Sequence, residues 1–101
     1  MKNQYYIYIL FSSKYDKYYV GYSSDPWRRV DEHNTKPFNT FTSKYRPWAL
    51  AAIFSCGEVD ADAIQLEKFI KKQKSRKLLK MLIDPKFEPD GALGKMVRVS
   101  L

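Results

Sequence analysis

Two phenols, a guanidinium, an imidazole and a carboxylate follow one another along this chain as Tyr8, Tyr19, Arg29, His33 and Glu67. Groups of these kinds bind anions and exchange protons when they converge on one point. The sequence around the first three supplies rigid carriers. Tyr8 lies in Tyr6-Ile7-Tyr8-Ile9-Leu10, Tyr19 lies in Tyr18-Tyr19-Val20-Gly21-Tyr22, and the helix signal Asp25-Pro26-Trp27-Arg28-Arg29 follows at once. Strands alternate their side chains and helices repeat about every 3.6 residues, so this spacing can gather polar groups from three elements.

Taken one at a time, each residue also has a plainer account. Tyrosines suit strands as half-buried packing groups. Arg29 alone is a solvated helix charge, His33 alone a histidine at the core edge satisfied by the backbone, and Glu67 can pair with Lys71 at i, i+4. The order and spacing of all five decide between the two accounts.

The elements that must position them read as follows. Residues 5–11 form a strand with Tyr6, Tyr8 and Leu10 on one face, a loop runs through 12–17, and residues 18–22 return as a second strand. A register pairing Leu10 with Lys17 sets Tyr8 directly opposite Tyr19. Asp25 as N-cap and Pro26 at the first helical position start a helix running to about residue 34. Its angular steps group Trp27, Arg29, Val30, His33 and Asn34 on one arc, with Arg28, Asp31 and Glu32 on the other. Arg28 therefore fits a pairing with Glu32 on the outer face, which separates it from Arg29.

Residues 35–47, with Pro37, Asn39, Thr40, Thr42, Ser43 and Pro47, read as an irregular polar loop. A third strand spans 48–55. A helix follows over 59–74, with Val59, Ala63, Leu66 and Ile70 as its core-facing stripe and Glu67 beside that stripe. A short helix covers 78–83, and Pro85, Pro89 and Gly91 mark an irregular tail. The expected architecture is α+β, a small three-stranded antiparallel sheet flanked by helices. The domain expectation is one unit over 1–84 with 85–101 as a tail on it.

At 101 residues there is room for one compact domain, and an apolar content of 45% excludes a disordered chain. Eighteen Lys and Arg against eleven Asp and Glu give a formal charge of +7, which points to a polyanionic partner, nucleic acid first. An acidic membrane surface is disfavoured, because no amphipathic helix with a bulky apolar face and no apolar run of spanning length occurs. No signal-peptide pattern occurs either. One cysteine, Cys56, and one histidine, His33, cannot build a zinc site or a disulfide framework, and Cys56 reads as a small buried hydrophobe. These features point to a reducing, cytoplasmic compartment.

Tyr6-Ile7-Tyr8, Tyr19-Val20-Gly21, Arg29 with His33 on the next helix, and Glu67 on a later one resemble the GIY-YIG nuclease superfamily. The resemblance runs from Tyr6 to about Ile83, and the length is similar to that of small standalone members. Tyr6 stands where the family signature has its first glycine, and Val20 where isoleucine is usual. The asparagine some members carry at the C-terminal end of the site has no assigned counterpart.

The resemblance implies hydrolysis of a DNA phosphodiester with one divalent ion, Mg²⁺ or Mn²⁺, and no small-molecule cofactor. It implies that Tyr8 accepts a proton from the attacking water, that Tyr19 orients that water, and that Arg29 holds the scissile phosphate. By the same resemblance His33 supports Tyr8 or the phosphate, and Glu67 ligates the metal. A tyrosine of ordinary pKa, about 10, is a poor base, so a nearby cation or metal would have to lower it. Beside such a site Lys71, Lys72, Lys74 and Arg76, with Lys44 and Arg46 in the loop, track a nucleic-acid backbone, and Thr40, Thr42 and Ser43 add phosphate hydrogen bonds. Structure-specific or repair-related cutting, with a protein partner or homodimer for targeting, is the fullest form of this expectation. The alternatives are a non-catalytic nucleic-acid-binding module of the same fold, and a protein-interaction domain with an aromatic surface.

Overall fold

A computed structural model describes residues 3–36 and 40–101 of the chain. A hairpin of β1 (Tyr6–Ser12) and β2 (Lys17–Ser23) leads into α1 (Pro26–Thr35). Then come α2 (Thr40–Lys44), β3 (Ala49–Ser55), α3 (Asp60–Gln73), α4 (Arg76–Ile83), a 3₁₀ turn over Gly91–Leu93, and β4 (Val97–Val99). The sheet is antiparallel throughout, in the order β2-β1-β3-β4. The fold is α+β as expected, with four strands and not three.

The fourth strand comes from the segment read as an irregular tail. Val97 pairs with Ser55 and Val99 with Ile53 along the far edge of β3. Between them Arg98 lies 4.7 Å over the Phe54 ring and donates to the carbonyls of Leu82, Asp84 and Phe87 at 2.9, 2.8 and 3.1 Å. Three residues carry too little alternation to announce a strand, and a free sheet edge supplies what their own pattern lacks.

β1 pairs with β2 as Ser12 with Lys17, Leu10 with Tyr19 and Tyr8 with Gly21. The register is thus two residues away from the expected one, because both strands extend into the loop and a turn with Asp16 in the left-handed region (φ 56°) closes it. A shift of two preserves the faces, so Tyr8 and Tyr19 still point the same way, as diagonal neighbours. Between Ile9 and Leu10 the pairing with β3 skips Ala51, a bulge that resets the alternation. That reset puts Trp48 and Leu50 on the same face as Ile53.

One sheet face carries the larger core. There Ile7, Ile9, Val20, Ala52 and Phe54 meet Ala63, Leu66 and Ile70 of α3, Leu82 of α4, and Leu93 and Met96 of the C-terminal segment. Val59, expected in this stripe, is instead the N-cap of α3 and 54% exposed, since the helix begins one residue later and the stripe starts at Ala63. The other face carries Tyr8, Leu10, Trp48 and Ile53, with Val30 of α1 packed against them.

α1 starts where its signals place it. The Asp25 side chain accepts from the Arg28 N–H at 3.1 Å and Pro26 occupies the first turn. Within the stretch read as a loop, residues 40–44 form the one-turn α2. Pro37 and Asn39 lie outside the described residues, as does the side chain of Thr40.

Candidate active site

Tyr8 is 1% exposed, and its ring lies across β2 at Gly21. A methyl group on Gly21 would sit 2.5 Å from both Cζ and the phenol oxygen of Tyr8. The glycine is required here for close approach and not for turning, because bare backbone is the floor on which the phenol rests.

The phenol oxygen is 2.9 Å from His33 Nε2. His33 is fully buried, and its Nδ1 lies 3.1 Å from Thr42 Oγ1. Thr42 is in turn held by its own carbonyl, which accepts the Trp48 indole N–H at 2.8 Å. Trp48 is fixed by Asn34, whose side chain accepts from the Trp48 N–H at 2.7 Å and donates to its carbonyl at 3.0 Å. The chain Asn34, Trp48, Thr42, His33, Tyr8 thus links α1, the residue before β3, α2 and β1 through one run of buried and part-buried contacts. Thr42 was expected to face phosphate from a polar loop; it is fully buried against the imidazole. Trp48 is the site residue that sequence reasoning passed over, and Thr42 was given a different partner; the only local signal that joins them is a threonine six residues before a tryptophan.

Arg29 lies beside the same phenol, and its Nη1 donates to Glu32 Oε1 at 2.9 Å. The ion pair expected between Arg28 and Glu32 is therefore made by Arg29, because at three residues' spacing the half-buried Arg29 shares the side of α1 that Glu32 reaches. Tyr19 packs its ring 4.7 Å from that of His33 and 6.4 Å from that of Tyr8. Glu67 is 18% exposed at its side chain and pairs with Lys71 at 3.3 Å. Lys71 Nζ lies 5.3 Å over the Tyr19 ring, and the charge of Glu67 acts on the Tyr8 phenol. The five residues are therefore brought to one place, with Glu67 approaching from α3.

Burial governs the titration of this cluster. It pushes the Tyr8 phenol up to about 12, with Tyr19 adding to the rise and Arg29 opposing it. Arg29 lowers this pKa as expected of a neighbouring cation, but losing water costs the phenolate more than one guanidinium returns. Burial likewise brings His33 down to about 4, and Arg29 and Arg46 push it further the same way. At neutral pH the site thus holds a neutral phenol against a neutral imidazole.

The basic residues divide into two kinds. Arg46 Nε donates to the His33 carbonyl at 2.7 Å, and Arg46 also binds the Lys36 carbonyl, so this guanidinium closes the end of α1. Arg76 binds Asp16 through both backbone and side chain and lies 4.9 Å over the Tyr18 ring, fastening the β1–β2 turn to the start of α4. Lys44, Lys72 and Lys74 are exposed. Cys56 is buried, its thiol raised to about 11 by desolvation, as a packing residue would be.

Among the described residues no group of three or more His, Cys, Asp or Glu is placed to hold a metal ion, and no helix is long and apolar enough to cross a membrane. No curated protein matches the chain. The model of the GIY-YIG catalytic domain matches residues 4–80, which contain all five clustered residues and Gly21. The chain therefore belongs to the GIY-YIG family, a family of endonucleases, and its fold is that of a nuclease domain.

Proposed function

We propose that the chain is a metal-dependent endonuclease that hydrolyses phosphodiester bonds in DNA, with Tyr8, Tyr19, Arg29, His33 and Glu67 as its working groups. The observation that carries this reading is the Tyr8 phenol, buried over Gly21, 2.9 Å from a neutral imidazole and beside a guanidinium. Arg29 can only donate, so the phenol oxygen accepts from it and the phenol O–H is directed to His33 Nε2. In this arrangement the attacking water gives its proton to the Tyr8 oxygen while the phenol proton moves to Nε2. No standing phenolate is then needed, and the charge of a bound phosphate would have to favour the imidazolium that results, which burial alone disfavours. The imidazole proton on Nδ1 goes to Thr42 Oγ1, which holds the ring in the tautomer that leaves Nε2 open.

Arg29, which donates to Glu32 Oε1, would hold the scissile phosphate through its planar fork of donors. Tyr19, beside both Tyr8 and His33, orients the water. Glu67 is the carboxylate that would hold Mg²⁺ or Mn²⁺. A half-buried single carboxylate fits an ion that takes its other oxygens from water and phosphate. When bound, the ion supplies charge neutralisation at the phosphate and leaving oxygen. Lys71 must give up its bond to Glu67 for this, and a phosphate beside the Tyr19 ring offers it a new partner.

The Glu67–Lys71 pair is also what favours the second reading, a binding module of the same fold with little chemistry. One assay separates the two: incubation with duplex, nicked, single-stranded and branched DNA, with Mg²⁺, Mn²⁺ or EDTA. Cutting that requires the divalent ion and falls by at least about 100-fold in both Arg29→Ala and Glu67→Ala supports the enzyme. Salt-sensitive binding without cutting in any metal supports the module.

A further inference from the structure

The sheet ends at β2, and beyond that free edge lies a groove of about 470 Å³ that begins at the Tyr19 ring of the catalytic cluster. Its walls include the rings of Tyr18, Tyr19 and Phe41, and Lys17, Lys71 and Lys74 stand around it. Phe41 is 40% exposed and lies 6.4 Å from Tyr19, ring to ring. Tyr18 and Tyr19 are successive strand residues with opposite orientations, so a groove lined by both wraps the strand edge and is reached from the site face. The volume lies in the range of small-molecule sites, about 300–1,000 Å³. With Arg76 there are four cations among the lining residues and no carboxylate among the described ones.

The exposed Phe41 ring, beside the part-buried Tyr18 and Tyr19 and inside a cationic border, matches an unpaired nucleotide, whose base stacks on a ring while its phosphates meet ammonium groups. A peptide strand added to the β2 edge would gain nothing from the cations unless it were acidic. We propose that this groove takes the base of an unpaired nucleotide next to the phosphate to be cut, so that the substrate class is duplex DNA carrying a short single-stranded extension. This deepens the endonuclease reading and rests on it. Lys71 belongs to both sites, which sets the groove one residue's reach from the phosphate position.

The test is fluorescence anisotropy at fixed salt in EDTA with three labelled oligonucleotides. One is a blunt duplex, one the same duplex with a three-nucleotide extension, and one the same with three abasic sugar-phosphate units. The extension with bases is expected to bind about tenfold tighter than the blunt end, and the abasic one to keep less than half of that gain on a logarithmic scale. Phe41→Leu should erase the gain from bases and leave blunt-duplex affinity in place, whereas Phe41→Trp should retain it. Equal binding of all three, or abasic and base-bearing extensions that bind alike, would overturn the proposal while the endonuclease reading stands. A concentration-dependent dimer in sedimentation that Phe41→Leu dissolves would give the groove to a second copy of the chain and overturn it too. Failure of every oligonucleotide to bind, with no cutting in Mg²⁺ or Mn²⁺, would remove the endonuclease reading itself.

Discussion

An alanine at position 21 would push a methyl group to 2.5 Å from the Tyr8 oxygen, and the buried phenol must shift in response, which disturbs its contact with Nε2 of His33. Gly21→Ala is therefore expected to remain folded, with a loss of about 1–3 kcal/mol in urea unfolding. Single-turnover cleavage should fall about 100-fold, the usual effect of displacing a reacting group by an ångström. His33 gives a pH signature with a definite sign. Its folded pKa, about 4, lies below the ordinary 6.5, so the unfolded chain binds the extra proton first. The contribution is whole above pH 6.5 and is lost as the pH falls toward 4. Urea midpoints across that interval should show roughly 3 kcal/mol of destabilisation in the parent chain that is missing from His33→Gln. The identity of the clustered residues was legible in the sequence because type and order survive any error in geometry. The burial that turns Tyr8 and His33 neutral was not, since it comes from Thr42, Trp48 and the Arg46 cap meeting across 9 to 15 positions of chain.

At the scale of elements, the well-read pieces are those with local causes. α1 begins at Asp25 and Pro26 because a side-chain cap and a fixed φ act within one turn, whereas α4 begins at Arg76, two residues before the expected Leu78, because the Ser75 hydroxyl caps it by accepting from the Leu78 N–H at 3.0 Å. The hairpin register, the bulge at Ala51 and the strand β4 depend on partners far along the chain, and no period in the local sequence encodes them. Asn34 shows how such distant elements are joined. Its amide replaces a strand neighbour at Trp48, and removing it leaves a buried backbone N–H without its partner. Asn34→Ala is expected to cost about 2–3 kcal/mol in thermal or urea unfolding, more than the loss of an ordinary exposed side chain. Asn34→Asp should recover part of it, because the carboxylate still accepts from Trp48.

Across the whole molecule, a charge of +7 makes affinity for DNA a function of salt. The cations do not share that role equally. Lys72 and Lys74 are exposed and should each contribute about 0.9 to the slope of log K against log salt, so the double alanine variant should flatten that slope by nearly 2. Arg46 and Arg76 are anchored to carbonyls and to Asp16, and their removal should appear in unfolding before it appears in the slope. Composition disclosed the charge but not this division, which is made by the fold. The two faces of the sheet divide the molecule in another respect. The larger apolar core lies under α3, α4 and the C-terminal segment, and Tyr8, Tyr19, Arg29 and His33 cluster on the opposite face among aromatic rings, with Glu67 reaching them from α3. Arg29 thus stands apart from the larger core, and a chain altered at Arg29 is expected to keep that core whole. Such a silent chain would serve as a snare, closing on its natural DNA without severing it and carrying that DNA through purification to be sequenced.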